Sequence, residues 1–151
     1  MLKADAKLLD LRRISSQGDE MAGEVETAAM GRLRELLISL SPTVQVKLRW
    51  QPERGIVRVD GEIRATAEIE CQRCLGPMPL ALVGQVHAGM AQSEALITRV
   101  DPTLDPVLVE DERLNLPAWV EDELLLSLPM IPMCQAWQGG VCPVSGIEPG
   151  A

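Results

Sequence analysis

The clearest pattern along the chain has a period of two. Over 57–71 the odd positions read Val57, Val59, Gly61, Ile63, Ala65, Ala67, Ile69 and Cys71. The even positions read Arg58, Asp60, Glu62, Arg64, Thr66, Glu68 and Glu70. Such alternation marks a strand with one buried face. Asp60-Gly61 would ordinarily suggest a two-residue hairpin turn. A reversal there would set Val59 against Glu62 and Val57 against Arg64, mixing core and solvent faces. The apolar phase runs straight through, so one continuous strand is predicted, with Gly61 as a bulge or a point of close backbone approach. After the loop Cys71-Gln-Arg-Cys74-Leu-Gly76, alternation resumes at Met78, Leu80, Leu82, Gly84, Val86, Ala88 and Met90. A long hairpin over about 55–91 follows, with the Cys-x-x-Cys at its tip.

Around this hairpin the pattern changes character. Leu8, Leu9, Leu11 and Ile14 predict a short opening strand, and 15–19 reads as a loop. Ala29, Leu33, Leu36, Leu37 and Leu40 recur at spacings of three and four, which predicts a helix over about 24–40. Ser41-Pro42 would end it, because the residue before proline is pushed out of the helical region. Val44, Val46, Leu48 and Trp50 alternate with Lys47 and Arg49 as a strand, and 51–55 turns it back into the hairpin. Beyond Met90, the stretch 94–113 reads as an acidic, proline-punctuated mobile loop with a short strand at 107–109. Asn115 is placed as an N-cap and Pro117 in the first turn of a helix over about 116–128. Its buried face would use Leu116, Val120, Leu124, Leu125 and Leu128, with Glu121 and Asp122 in water. Pro129 and Pro132 stop it, and 134–151 is a Gly/Pro-rich tail. The fold class is α+β in a single domain over 1–151: a mostly antiparallel, twisted sheet of four to six strands, with the two helices on its apolar face.

Composition narrows this picture. With no Phe or Tyr and three Trp, the core must be built from Leu, Val, Ile, Ala and Met, with Trp50 and Trp119 on predicted apolar faces. A base-stacking sheet that relies on Phe or Tyr is excluded. The net charge is −8, and it is uneven. Residues 1–73 are neutral; 74–151 carry Arg99 and Arg113 against ten carboxylates. Nucleic-acid-binding domains usually show a basic excess, because phosphate neutralisation drives their binding. No leader-like apolar run opens the chain and no stretch approaches a membrane span, so a cytoplasmic location without membrane contact is expected.

In a reducing compartment a Cys-x-x-Cys more often binds metal or does redox chemistry than staples a fold. The four cysteines form two pairs, Cys71/Cys74 and Cys134/Cys142. Tetrahedral zinc through all four is one reading. Unmetallated thiols, with Cys71 simply the last inward residue of its strand, is the second. A redox dithiol is the third, disfavoured because this motif caps a hairpin instead of opening a helix in a βαβ unit. His87, out of phase with the apolar positions, reads as a solvated or edge histidine. No phosphate-binding loop, dinucleotide fingerprint or nucleophile elbow is present, and no catalytic constellation is assigned.

Two segments together carry a resemblance. Glu70-Cys-Gln-Arg-Cys-Leu75 at a strand end, followed about fifty residues later by Val120-Glu-Asp-Glu-Leu-Leu-Leu-Ser-Leu-Pro129-Met-Ile-Pro132, resembles the bacterial YceD family, described as large-subunit ribosomal RNA accumulation proteins. The resemblance implies a non-enzymatic role in the synthesis, processing or stability of that RNA. Family tails vary: many members have His where this chain has Cys134, and others end in Cys-Pro-x-Cys-Gly. Here the run is Cys142-Pro-Val-Ser145-Gly146, a departure that weakens the zinc reading, although Cys134 could supply the missing thiolate.

On this footing the expected partner is a ribosomal precursor particle or a basic ribosomal protein, the latter held before assembly by an acidic binding module. Asp101, Asp105, Glu110, Asp111 and Glu112 are the candidate protein-facing residues. Direct RNA contact would fall to Lys47, Arg49, Arg58, Arg64 and Arg73. With Glu62, Glu68 and Glu70 nearby, it should be weak and salt-sensitive.

Overall fold

A computed structural model describes Ala4, residues 8–72 and residues 75–128. In chain order these form β1 (Leu8–Asp10), a 3-10 turn (Leu11–Arg13), β2 (Asp19–Glu26), α1 (Gly31–Glu35), β3 (Ser39–Leu40) and β4 (Thr43–Glu53). Then follow β5 (Ile56–Glu70), β6 (Pro77–Ala91), α2 (Glu94–Ile97), β7 (Asp105–Leu108), β8 (Arg113–Asn115) and α3 (Leu116–Leu126). The main sheet runs β2-β4-β5-β6-β7, with β3 also pairing β5; β1 and β8 form a separate two-stranded ribbon. Every pairing is antiparallel except β6 with β7. The expected α+β class holds, and the main sheet has six strands, within the expected four to six, with β1 and β8 standing apart from it.

The hairpin of β5 and β6 is continuous from Val57↔Met90 to Glu70↔Pro77. Its register matches apolar to apolar: Val59 faces Ala88, Ile63 faces Gly84 and Ala65 faces Leu82. Asp60-Gly61 is therefore mid-strand, not a turn. Gly61 is required by a close approach. It lies opposite Leu48 with φ +152°, and a Cβ built on it would fall 2.0 Å from the Lys47 carbonyl oxygen. The true reversal lies at Arg54-Gly55, both with positive φ (51° and 85°), as a two-residue hairpin loop demands.

The core lies on one face of the sheet. Trp50, Val59, Ile63, Leu82 and Val86 project from the strands and Leu116, Val120 and Leu124 from α3, all essentially inaccessible. Trp50 and Trp119 meet there with ring centroids 5.7 Å apart at 59°, a favourable tilted geometry. The helix begins as expected. The Asn115 side chain accepts from the Ala118 amide, and the proline sits in the first turn, where its missing N–H costs nothing.

Three expectations are corrected. The helix predicted over 24–40 does not exist as such: Asp19–Glu26 is strand β2, Gly31–Glu35 is a five-residue helix and Ser39–Leu40 is strand β3. An isolated helix of that length would be marginal in water. Pairing of Glu24, Val25 and Glu26 with β4 at one end, and of Ser39 and Leu40 with β5 at the other, outweighs the helical spacing of the leucines. The strand alternation in β2 was concealed because its inward positions include Gly23 and run on to the buried Thr27. The opening strand is shorter than expected, since Leu11–Arg13 turns after β1. Finally, 94–113 is not simply a loop. Besides the anticipated short strand, it contains α2, and its Val100 and Leu104 join Ile56 and Ala91 in a small second core. That core covers the otherwise open sheet face at the base of the hairpin, where Gly89 makes room for Val100.

Candidate functional site

Strand alternation places all the expected cations of the described sheet on the face opposite the core. The rows across it read Ala22–Lys47–Glu62–Gln85, Glu20–Arg49–Asp60–His87 and Glu24–Gln45–Arg64–Val83. Arg58 stands beside Gln51 and Gly89 in the next row. Lys47, Arg49, Arg58 and Arg64 are thus brought together, and each has a carboxylate neighbour. Arg58 Nε lies 2.8 Å from Asp60 Oδ2, Arg64 Nε 3.0 Å from Glu62 Oε2, and Arg49 Nη1 3.5 Å from Glu20 Oε1. Lys47 stands directly across from Glu62. His87 Nδ1 reaches Asp60 Oδ1 at 3.0 Å, solvated as expected, and Gln85 donates to Glu62 at 3.1 Å.

These contacts tune the acids and bases together. Partial burial of Asp60 on its own raises its pKa, but hydrogen bonds from Arg58 and His87 outweigh this and hold the carboxyl below its ordinary value. The Arg64 hydrogen bond holds Glu62 below its ordinary value, and Asp60 and Glu62 in turn raise Arg58 and Arg64. The face is an ion-pair lattice with shallow depressions of about 560 and 340 Å³ around Gln45 and Arg64. It is not a free cationic patch. Arg73 lies outside the described residues.

The acidic candidates have different neighbours. Asp101 accepts from the Thr103 amide and hydroxyl, which hold its carboxyl low, and it lies near Arg58. Asp105 pairs across from Ala88 on the other side of the sheet, close enough to Glu123 to influence it. Asp111 accepts from the Arg113 amide, Glu112 lies 3.5 Å from Arg12, and Glu110 is exposed.

At the hairpin tip, the Cys71 amide donates to the Gly76 carbonyl and the Leu75 amide to the Cys71 carbonyl, at 2.9 and 2.8 Å. Leu75 takes a left-handed φ of 61°. Cys71 is buried with Ile69 and Met78, and Leu128, the last described residue of the chain, packs on the same cluster. The expected ligands Cys74, Cys134 and Cys142 lie outside the described residues, among which no group of three or more potential ligands could hold a metal ion.

Sequence reasoning missed one buried constellation. Glu121, expected in water, is only 4 % exposed. Its carboxylate accepts from Arg32 at 2.9 and 3.1 Å and from the Leu33 amide at 3.2 Å. Asp122, exposed as expected, shares the same Arg32 at 2.6 Å. Glu123 is also buried, and burial first, then Asp105 and Asp122, push its carboxyl above the usual range. Nothing local distinguishes Glu121 from a solvated helix acid; its partners are 88 and 89 residues away.

Comparison with known proteins bears on this arrangement. The family model described as "Large ribosomal RNA subunit accumulation protein YceD" matches residues 59–150. The protein of that name from Haemophilus influenzae is 27% identical over 125 residues, spanning 81% of this chain and 68% of the relative. Uncharacterised proteins from Mycobacterium bovis and Mycobacterium tuberculosis are 28% identical over 142 residues, spanning 87% of this chain and 65% of each relative. The chain thus extends over about two thirds of these relatives' length. No solved structure matches it significantly. The family match takes in most of the hairpin, the tip, and α3 with its buried carboxylates, and by that match the chain belongs to the YceD family of large ribosomal RNA subunit accumulation proteins.

Proposed function

We propose that this protein is a non-enzymatic, cytoplasmic factor in the accumulation of large-subunit ribosomal RNA, acting on a ribonucleoprotein precursor or a basic ribosomal protein instead of on bare RNA. The observation that carries the choice of partner is the ion-pair lattice: the four described candidate cations each have a carboxylate beside or across from them. Affinity for RNA grows with the phosphates a protein can neutralise, and cations already compensated contribute little to it. A net charge of −8 further disfavours polyanions and favours basic proteins. The non-enzymatic reading follows the family's description, which names an accumulation role and no reaction. A structural zinc through Cys71, Cys74, Cys134 and Cys142 belongs to the proposal. What supports it is Cys71, held in a tight turn, with Leu128 just after α3 packed on the same cluster. When bound, zinc would supply a structural cross-link only.

The test is capture from lysate by the full chain at low and high salt, with and without ribonuclease, alongside gel shifts with protein-free large-subunit RNA. Salt-sensitive, ribonuclease-resistant capture of a basic ribosomal protein is expected, with little binding of bare RNA at physiological salt. Tight, sequence-specific binding to protein-free RNA would overturn the proposal.

A further inference from the structure

The two edges of the main sheet differ. One is β7, four residues long, with Pro106 inside it. The other is β2, eight residues without proline, and among the described residues its only strand partner is β4. An antiparallel strand bonds its neighbour through alternate residues, so the other half of the β2 amides and carbonyls face outward. Glu20, Ala22, Gly23, Glu24 and Glu26 are all exposed, so this edge is accessible. Glu20 is shared with Arg49 at 3.5 Å, whereas Glu24 and Glu26 have no ion-pair partner among the described residues. On the inward side of β2, Gly23 lies between the buried Met21 and Val25.

We propose that the β2 edge accepts an extended basic segment of a protein partner as an additional strand of the sheet. This rests on the reading above that the partner is a basic protein, and it names the site and the mode. Main-chain hydrogen bonds to β2 would supply affinity, and the side chains would supply choice. On the open face an added strand places every second residue beside Glu20, Ala22, Glu24 and Glu26, where lysine or arginine is favoured. On the other face Met21 and Val25 are already buried and the Ala4 methyl lies against Gly23, so the added strand meets a covered core margin where only small apolar side chains such as alanine or valine fit. The preferred sequence therefore alternates basic and apolar residues. The same carboxylates disfavour a second copy of this chain, since β2 against β2 would oppose glutamate to glutamate, and they repel RNA.

The probe is a synthetic peptide alternating lysine with valine, about the length of β2, added to the full chain at low salt. A peptide of the same composition with its lysines grouped at one end serves as the control. Slowed hydrogen exchange at alternate β2 amides is expected with the alternating peptide. The triple variant Glu20→Gln, Glu24→Gln, Glu26→Gln, whose substitutions lie on exposed positions and should leave thermal unfolding nearly unchanged, should bind it about tenfold more weakly. Protection elsewhere, equal binding of the grouped peptide, undiminished binding by the triple variant, or dimerisation through β2 would overturn the inference. Capture of the basic partner from lysate separates the two readings. If capture persists in the triple variant, the edge assignment fails and the function stands. If the unsubstituted chain captures no basic partner, the underlying function fails.

Discussion

Arg32 Nη2 lies 2.9 Å from Glu121 Oε1, joining α1 to α3 across 89 residues of chain. The other Glu121 oxygen accepts from the fully buried Leu33 amide. The carboxylate thus satisfies a first-turn helix donor that the helix itself leaves unpaired, and one cation neutralises it at the surface. Glu121→Ala should leave that amide unpaired inside the protein, at a cost of about 2–3 kcal/mol. For a chain of this size that corresponds to a fall of roughly 6–10 °C in Tm by thermal denaturation. Arg32→Met should destabilise less and in a salt-dependent way, because the guanidinium is largely exposed and water replaces part of its role. Equal losses for the two variants would contradict this division.

Gly61→Ala should be the most damaging of three glycine substitutions within the hairpin. Its φ of +152° is unfavourable for alanine, and its Cβ would meet a backbone carbonyl at 2.0 Å. At Gly84 and Gly89 the nearest atoms are side chains, Ile63 Cγ1 at 2.9 Å and Val100 Cγ1 at 2.6 Å, which can shift. The expected loss is about 3 kcal/mol or more at Gly61 and about 1 kcal/mol at the other two. Denaturant titration of the three variants gives the ranking directly.

Glu123 should make stability fall as pH rises. Burial, reinforced by Asp105 and Asp122, raises its folded pKa above the ordinary 4.5. The folded state therefore holds its proton more tightly than the unfolded state. Its stabilising contribution is complete below about 4.5 and is lost as pH climbs through the raised folded value. Asp60 and Glu62, whose values are lowered, act in the opposite sense and lose their contribution as pH falls below the ordinary carboxylate range. Glu123→Gln should accordingly raise Tm at neutral pH and change it little near pH 3.5, about one unit below the ordinary value. A variant less stable at neutral pH would show that the ionised form is the favoured one.

Protein purified without chelator should carry about one zinc per chain. Cys74→Ser should lose the metal, and chelation should lower Tm in the original chain but not in that variant. Because Cys71 shares its cluster with Leu128, the loss should also loosen the last turn of α3 and the two residues after it, read as faster amide exchange at 124–128. Metal-free protein with an unchanged Tm would leave the unmetallated-thiol reading in place.

Local signals in the amino-acid pattern were enough for the elements built from near neighbours. Unbroken alternation through Gly61 specified the hairpin, since a turn there would have put Arg64 in the core. It also grouped Arg58, Asp60, Glu62 and Arg64 on one face, because residues two apart on a strand point the same way. The Asn115 cap and the spacing of Leu116, Val120 and Leu124 specified α3, and Trp50 and Trp119 were legible as core. Partners far along the chain set the rest. Pairing with β4 made 19–26 a strand despite helical spacing nearby. Packing of Val100 against Gly89 turned part of an acidic stretch into a second small core. Cross-strand neighbours brought Glu20 to Arg49 and Glu62 to Lys47, joining the Arg58–Asp60 and Arg64–Glu62 pairs within β5 into an ion-pair lattice, and Arg32 drew Glu121 out of water. Periodicity reports which side of an element is buried; the identity of the group waiting on that side is set by the register and packing of other elements.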